Sequence, residues 1–343
     1  MTSRYDADRA QVEALLAGQP RYRVDQVWRG LHEQLAAPAE LTSLPRALRS
    51  ALEEALPAAL TLATERVSDG GETVKWLWTL ADGTQVETVL MHYRDRSTVC
   101  VSTQAGFDRH LTPGEIVEQV VQAARRARDD RRRLSNVVFM GMGEPLANYE
   151  STWAAVERLH GDLGLSARHL TVSTVGIVPG IRRLAQEALP VNLAVSLHAA
   201  DDALRDELVP INRRYPLSTL LDACAGYLQA KGRRLSFEWA LIDGVNDRDV
   251  DARNLVERSR SLPLPAHVNL IPLNPTPGYA VRGSPAHRVR AFRDLLRASG
   301  VNATVRRTRG TEIDAACGQL RAEHTIPVEL GQRARTRTVR SRS

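Results

Sequence analysis

From Ser97 onward, short β-rich runs alternate with segments of helical length and composition, and this alternation leaves the chain few folds. The β-type runs are 98–103, 136–140, 169–174, 191–197, 235–241, 268–272 and 302–306; helical patterns occupy 112–127, 149–159, 218–230, 249–260 and 285–298. Repeated strand, helix, strand units return in one sense and build a parallel sheet covered by helices. So many units predict an α/β fold, a full or partial (β/α) barrel, with functional residues at the C-terminal ends of the strands.

The first 92 residues have a different texture. Residues 24–35 and 45–56 carry apolar side chains at three- and four-residue spacing, as amphipathic helices do. From 61 to 92 the pattern becomes short alternating runs, 73–80 and 85–90, separated by the turn signal Asp82-Gly83. The expected organisation is an accessory domain over 1–92 (helices, then a β-meander), a barrel over 93–330, and a basic tail over 331–343.

Charge and cysteine content narrow the function. The net charge is +6, but five arginines in the last eleven residues supply +5 of it, so the body is nearly neutral. The run Arg125 to Arg133, interrupted by Asp129 and Asp130, reads as a solvated helix face. No stretch approaches the roughly 18 apolar residues of a membrane span, and Arg4, Asp6, Asp8 and Arg9 interrupt any secretory leader, so the expected place is the cytoplasm, without a membrane. The three cysteines, Cys100, Cys224 and Cys317, stand far apart, which fits a reducing compartment and gives no local metal motif.

Four polar motifs directly follow predicted strands and would face one barrel mouth. They are Gly141-Met142-Gly143-Glu144-Pro145, Ser173-Thr174-Val175-Gly176, Ser196-Leu197-His198-Ala199, and the segment 269–275 containing Asn274-Pro275. Glycines let a ligand approach the backbone, Glu144 can accept from an ammonium group, and hydroxyls or an imidazole can hold a ribose or carboxylate. Taken singly, each is also an ordinary strand-to-helix turn, and His198 alone reads as a structural, hydrogen-bonded histidine. By spacing alone Glu87 is a solvent-facing strand residue, Cys100 a buried strand cysteine, and Cys317 an inert thiol in a loop of small residues.

In combination, these segments resemble the RlmN/Cfr family of radical S-adenosylmethionine (radical SAM) RNA methyltransferases. The matching stretches are Tyr22 to Trp28, Gln85 to Val89, Cys100-Val101-Ser102-Thr103-Gln104, the Gly-Glu-Pro, Ser-Thr-Val-Gly and Ser-Leu-His motifs, and the segment around Cys317. The resemblance implies a partial (β/α) barrel of the radical SAM type and methylation of adenine C2 in large-subunit ribosomal RNA and in transfer RNA. It implies S-adenosylmethionine and a 4Fe-4S cluster as cofactors, an electron donor such as flavodoxin for an intact relative, and a monomer. In the family's route, a cysteine matching Cys317 carries a methyl group. A 5′-deoxyadenosyl radical activates that methyl group for addition to C2, a base matching Glu87 removes the C2 proton, and a thiol matching Cys100 releases the product. Gly143, Glu144, Ser173, Ser196, Leu197, His198 and Asn274 match the S-adenosylmethionine contacts.

One family element is missing. The strand ending in Cys-Val-Ser-x-Gln is ordinarily followed by a CxxxCxxC loop whose thiolates hold the cluster. Here Gln104-Ala105-Gly106 runs straight into Phe107-Asp108-Arg109-His110-Leu111-Thr112, the segment that follows that loop. The three remaining cysteines cannot form a local three-thiolate loop. The resulting expectation is a methyltransferase by family that is inactive in this form, with no metal ligands; the alternative is an RNA-binding and S-adenosylmethionine-binding remnant.

Overall fold

A computed structural model describes residues 3–106, 109–273 and 282–306, and divides into two compact units, Met1–Thr171 and Val172–Ser343. The first begins with three helices: α1 (Arg9–Leu15), α2 (Tyr22–His32) and α3 (Arg46–Ala55). The sequence pattern anticipates the last two. The short α1 owes its start to Asp8, whose carboxylate accepts from the Gln11 amide N–H while the Gln11 side chain accepts from the Asp8 N–H.

Strands β1 (Leu60–Ser68), β2 (Thr73–Leu80) and β3 (Gln85–His92) form the expected antiparallel meander. The β2–β3 turn is set by Gly83 at φ +82° and by Asp82, which accepts from the Thr84 N–H at 2.9 Å. Strand β4 (Ser97–Cys100) pairs antiparallel with β3; beyond it, β5 (Gln104–Ala105) and β6 (Arg109–His110) form a two-stranded hairpin that the sequence pattern does not signal. Helix α4 (Pro113–Asp129) then crosses over to β7 (Leu134–Phe139), which lies parallel to β4. The strand order in this unit is β1-β2-β3-β4-β7, and α5 (Tyr149–Gly161) ends it.

Helix α4 is the keel of the first unit. Ile116, Val117, Val120 and Val121 are essentially fully buried, each stabilising the fold by about 1.5–3 kcal/mol. Its N-terminus is fixed by a Thr112/Glu115 capping box, and Asp6 accepts from the Gly114 N–H at 2.6 Å and the Thr112 hydroxyl at 3.0 Å. The arginine run at its far end is not simply a solvated face, because its side chains reach specific partners. Arg125 pairs with Glu40 (2.6 Å), Arg126 with Glu65 (2.8 Å) and Asp130, and Arg132 with Glu72 (2.6 Å), tying α4 and the turn after it to the segment between α2 and α3 and to the meander.

The second unit carries the repeating pattern: β8 (Leu170–Thr174), α6 (Val178–Leu184), β9 (Asn192–Ser196), α7 (Asp202–Leu208), α8 (Leu217–Lys231), β10 (Leu235–Leu241), α9 (Asp249–Arg260), β11 (His267–Pro272), α10 (Ala286–Ala298) and β12 (Ala303–Val305). Its strand order is β8-β9-β10-β11-β12, with parallel pairing from β9 to β12. Leu193, Val195, Phe237, Trp239, Val268, Leu270 and Ala303 are buried on one face. The alternate residues Ser196, Glu238, Asn269 and Thr304 lie in register on the other. Helices α6 and α7, seven residues each, are too short for the periodicity that reveals the longer ones.

Candidate functional site

In the first unit, the chain leaving β4 and the chain leaving β7 are zipped together. The Gly141 N–H donates to Val101 O (2.9 Å), while the Thr103 and Gln104 N–H groups both donate to Met142 O (2.8 and 3.1 Å). The Ser102 hydroxyl donates to Glu87 O (2.7 Å) and accepts from the Met142 N–H (2.9 Å). Gly143 must be glycine on two counts. Its φ is +95°, and a Cβ would stand 2.5 Å from the Gln104 Cβ. The Glu144 N–H donates to the Gln104 side-chain carbonyl at 3.0 Å, and the Glu144 carboxylate accepts from the Leu146 N–H at 3.0 Å. The Gly-Met-Gly-Glu turn is thus moulded on the Cys-Val-Ser-Thr-Gln segment. Behind it, the buried Gln119 side chain of α4 accepts from the Ser102 N–H (2.9 Å) and donates to Ser102 O (3.0 Å).

Glu87 and Cys100 share one face of the meander. Across the sheet Lys75 stands opposite Val89, and Val89 opposite Cys100, while Glu87 lies two residues from Val89 on the same strand face. Lys75 Nζ meets Glu87 Oε1 at 2.9 Å, and both side chains are only slightly exposed, at 11% and 13%. Glu87 is therefore not the solvent-facing strand residue its spacing suggests. It is a largely buried carboxylate with a cationic partner, and Cys100 beside it is 2% exposed. Lys75 went unread in the sequence, although a lysine among Val74, Trp76 and Trp78 in a strand is itself a signal of a buried pair.

In the second unit, Ser173 is buried near the end of β8, where the Thr174 hydroxyl accepts from the Gly176 and Ile177 N–H groups (3.0 and 3.1 Å). Ser196 ends β9, and Leu197 extends it by donating its N–H to Glu238 O at 3.0 Å. His198 follows at φ +58°, the left-handed region that residues other than glycine rarely occupy, in a γ-turn closed by the Ala199 N–H on Leu197 O (2.7 Å). The ring is held as well: Nδ1 accepts from the Ala240 N–H at 3.0 Å, so the neutral imidazole carries its proton on Nε2. Burial, then the nearby Arg205 guanidinium, holds the His198 pKa down to about 4. Asn246, fully buried, donates to His198 O (2.8 Å) and Ala240 O (2.7 Å) and accepts from the Ile242 N–H (2.7 Å).

Glu238, beside Ser196 in the register, is 3% exposed; its carboxylate accepts from Asn269 Nδ2 at 2.7 Å and from the Ser236 hydroxyl at 3.1 Å. The alternation Leu235-Ser-Phe-Glu-Trp-Ala-Leu241 places Ser236, Glu238 and Ala240 on the polar face, and that period of two was the signal that could have found it. Asn274 and Cys317 lie outside the described residues. Of the other cysteines, Cys224 is fully buried on α8, and burial pushes its thiol up to about 12. Among the described residues no group of three His, Cys, Asp or Glu side chains is placed to hold a metal ion, and no helix is long and apolar enough to cross a membrane.

The radical SAM superfamily matches residues 100–256. Two curated relatives, each named "Probable dual-specificity RNA methyltransferase RlmN", are similar over nearly the whole chain. That of Parafrankia sp. (strain EAN1pec) is 51% identical over 95% of this chain and 92% of its own, and that of Chloroflexus aurantiacus is 47% identical over 94% of each. The chain belongs to the RlmN family of radical SAM proteins. A crystal structure of a radical SAM methyltransferase from Sphaerobacter thermophilus is 48% identical, covers 93% of this chain and 99% of its own, and superposes with a TM-score of 0.88. The fold is accordingly α/β, the partial (β/α) barrel of the radical SAM type, as the strand-helix alternation and the family motifs predicted.

Proposed function

We propose that this chain is, by descent, an RNA (adenine-C2) methyltransferase acting on ribosomal and transfer RNA, and that in this form it is catalytically silent because it cannot hold the family's 4Fe-4S cluster. The observation that carries the second half is the connection after β4. Where the family has its CxxxCxxC loop, Gln104 pairs with His110 and Ala105 with Arg109. Arg109 then grips Glu115 with two bonds (2.5 and 2.6 Å) and Asp82 with a third (2.7 Å). The donor set does not fit a cluster. Thiolates hold such clusters, and the only cysteines in the sequence are Cys100, Cys224 and Cys317. Of these, Cys224 is a deeply buried thiol pushed away from ionisation.

The donor set does fit S-adenosylmethionine, which when bound supplies the methyl group. In the second unit Ser173 and Ser196 carry hydroxyls and His198 a neutral ring with its proton on Nε2; the family resemblance sets the Glu144 carboxylate against the ammonium. By the family match, Gly143, Leu197 and Asn274 complete these contacts. Glu87, held by Lys75, matches the proton acceptor, and Cys100 and Cys317 match the two thiols. An accessory domain over 1–92, a barrel over 93–330 and a cytoplasmic monomer belong to the same reading. Retained binding of RNA and S-adenosylmethionine without methyl transfer is the second reading, favoured by the intact polar strand ends of β8 and β9.

The test is mass-spectrometric detection of 2-methyladenosine after anaerobic incubation of the 343-residue chain with RNA, S-adenosylmethionine and a flavodoxin-type reductant. The expected result is none, with product appearing once a CxxxCxxC loop is inserted after Gly106. Methylation by the chain in its present form would overturn the proposal.

A further inference from the structure

Arg205, on α7, is a guanidinium with no exposed surface. Among the described residues no carboxylate lies within ion-pair reach of it. It donates instead to main-chain carbonyls at two strand ends: Nη2 to Val175 O (2.7 Å) and Ser196 O (3.3 Å), and Nε to Leu197 O (3.1 Å). Nη1 donates to Asn212 Oδ1 (2.9 Å), and the Asn212 amide bridges to two carboxylates by donating to Asp202 (2.9 Å) and Asp206 (2.7 Å). Burying a cation this way costs more than an apolar side chain of similar volume would, so stability alone does not account for it. What it supplies is geometry, because the rigid fork of a guanidinium fixes several acceptors at once.

Those acceptors sit on the two motifs that end β8 and β9. The Ser-Thr-Val-Gly turn is shaped around the guanidinium: Gly176 has φ +113°, and a Cβ there would meet Arg205 Nη2 at 3.2 Å and Leu220 at 3.3 Å. The Ser-Leu-His turn is braced from behind, since Leu197 O, which closes the γ-turn around His198, is the same atom that accepts from Arg205 Nε. The opposite side of that turn is pinned by Asn246 and by Ala240 on the imidazole. Strained backbone persists only where its surroundings over-determine it, and Arg205 is half of that support.

We propose that Arg205 is the positioning residue of the S-adenosylmethionine site, holding the ends of β8 and β9 so that Ser173, Ser196 and His198 Nε2–H are presented together. This rests on the assignment of those three residues to S-adenosylmethionine. Arg205 itself touches no ligand in this scheme. Burial keeps His198 neutral, and the Arg205 charge behind the turn adds to it.

The experiment uses the whole chain, with Arg205→Lys, Arg205→Met and Asn212→Ala variants. Binding of S-adenosylmethionine is measured by calorimetry, folding by circular dichroism, and the His198 tautomer by nitrogen-15 NMR, assigned with His198→Gln. Arg205→Lys keeps the charge but cannot span three carbonyls. It is expected to stay folded, to bind S-adenosylmethionine roughly tenfold to a hundredfold more weakly, and to move the His198 nitrogens toward a mixed-tautomer signal. Asn212→Ala, which leaves the carbonyl contacts in place, is expected to give a smaller change of the same kind and serves if both Arg205 variants fail to fold. Folded variants with wild-type affinity and an unchanged His198 signal would overturn the proposal. If the wild-type chain binds no S-adenosylmethionine, the ligand assignment fails. The tautomer change then still decides whether Arg205 positions the turn.

Discussion

Glu118 is a fully buried carboxylate on α4, accepting from the Ala59 N–H at 2.7 Å. Burial pushes its pKa from 4.5 up to about 7, against the Ala59 N–H and the Arg4 guanidinium, which both favour the charged form. The folded chain therefore holds a proton between pH 4.5 and about 7 that the unfolded chain has released. Stability from this group is complete below pH 4.5 and is lost as pH rises through 7. At about 1.4 kcal/mol per pH unit the whole loss is about 3 kcal/mol, most of it between pH 5 and pH 8. Glu118→Gln keeps an acceptor for Ala59 and removes the titration. The assay is urea unfolding of both proteins at pH 5 and pH 8. His32, His198 and His267, whose pKa values burial lowers, titrate in both proteins and cancel in the comparison. Wild type should lose about 2–3 kcal/mol more than Glu118→Gln on going from pH 5 to pH 8. Equal losses, or a smaller loss in wild type, would refute the assignment of a protonated Glu118.

Arg109→Ala should release the hairpin at 104–110, seen as faster hydrogen exchange there and a stability loss of roughly 1–2 kcal/mol, modest because the side chain is partly exposed. Gly143→Ala should cost about 1–3 kcal/mol in thermal unfolding, from the positive φ and the clash with Gln104. Asn246→Ala leaves the Ile242 N–H and the carbonyls of His198 and Ala240 without that partner, a loss of roughly 2–4 kcal/mol by urea unfolding.

The strand-helix alternation was legible because long elements repeat their apolar spacing over several turns. The strand runs of the second unit and the helices α8, α9 and α10 lie within a residue or two of their expected bounds. The turns after the strands were legible as motifs. Their supports were not: Gln119, Glu238 and Asn246 act on turns well removed from them in sequence, and Arg205, though near the Ser-Leu-His turn, looks like any other arginine in a helix. The β5–β6 hairpin escaped because two-residue strands carry no period. Glu87 was misjudged as solvent-facing because alternation locates a face without saying what covers it, and here the cover includes Lys75.

The most direct test of the central claim is the iron and acid-labile sulfide content of the chain, with its visible spectrum, after anaerobic reconstitution. A folded protein with no bound iron and no charge-transfer absorption is the predicted result. A full cluster's complement of iron and sulfide would contradict the account, because ligands other than a CxxxCxxC loop would then be holding it.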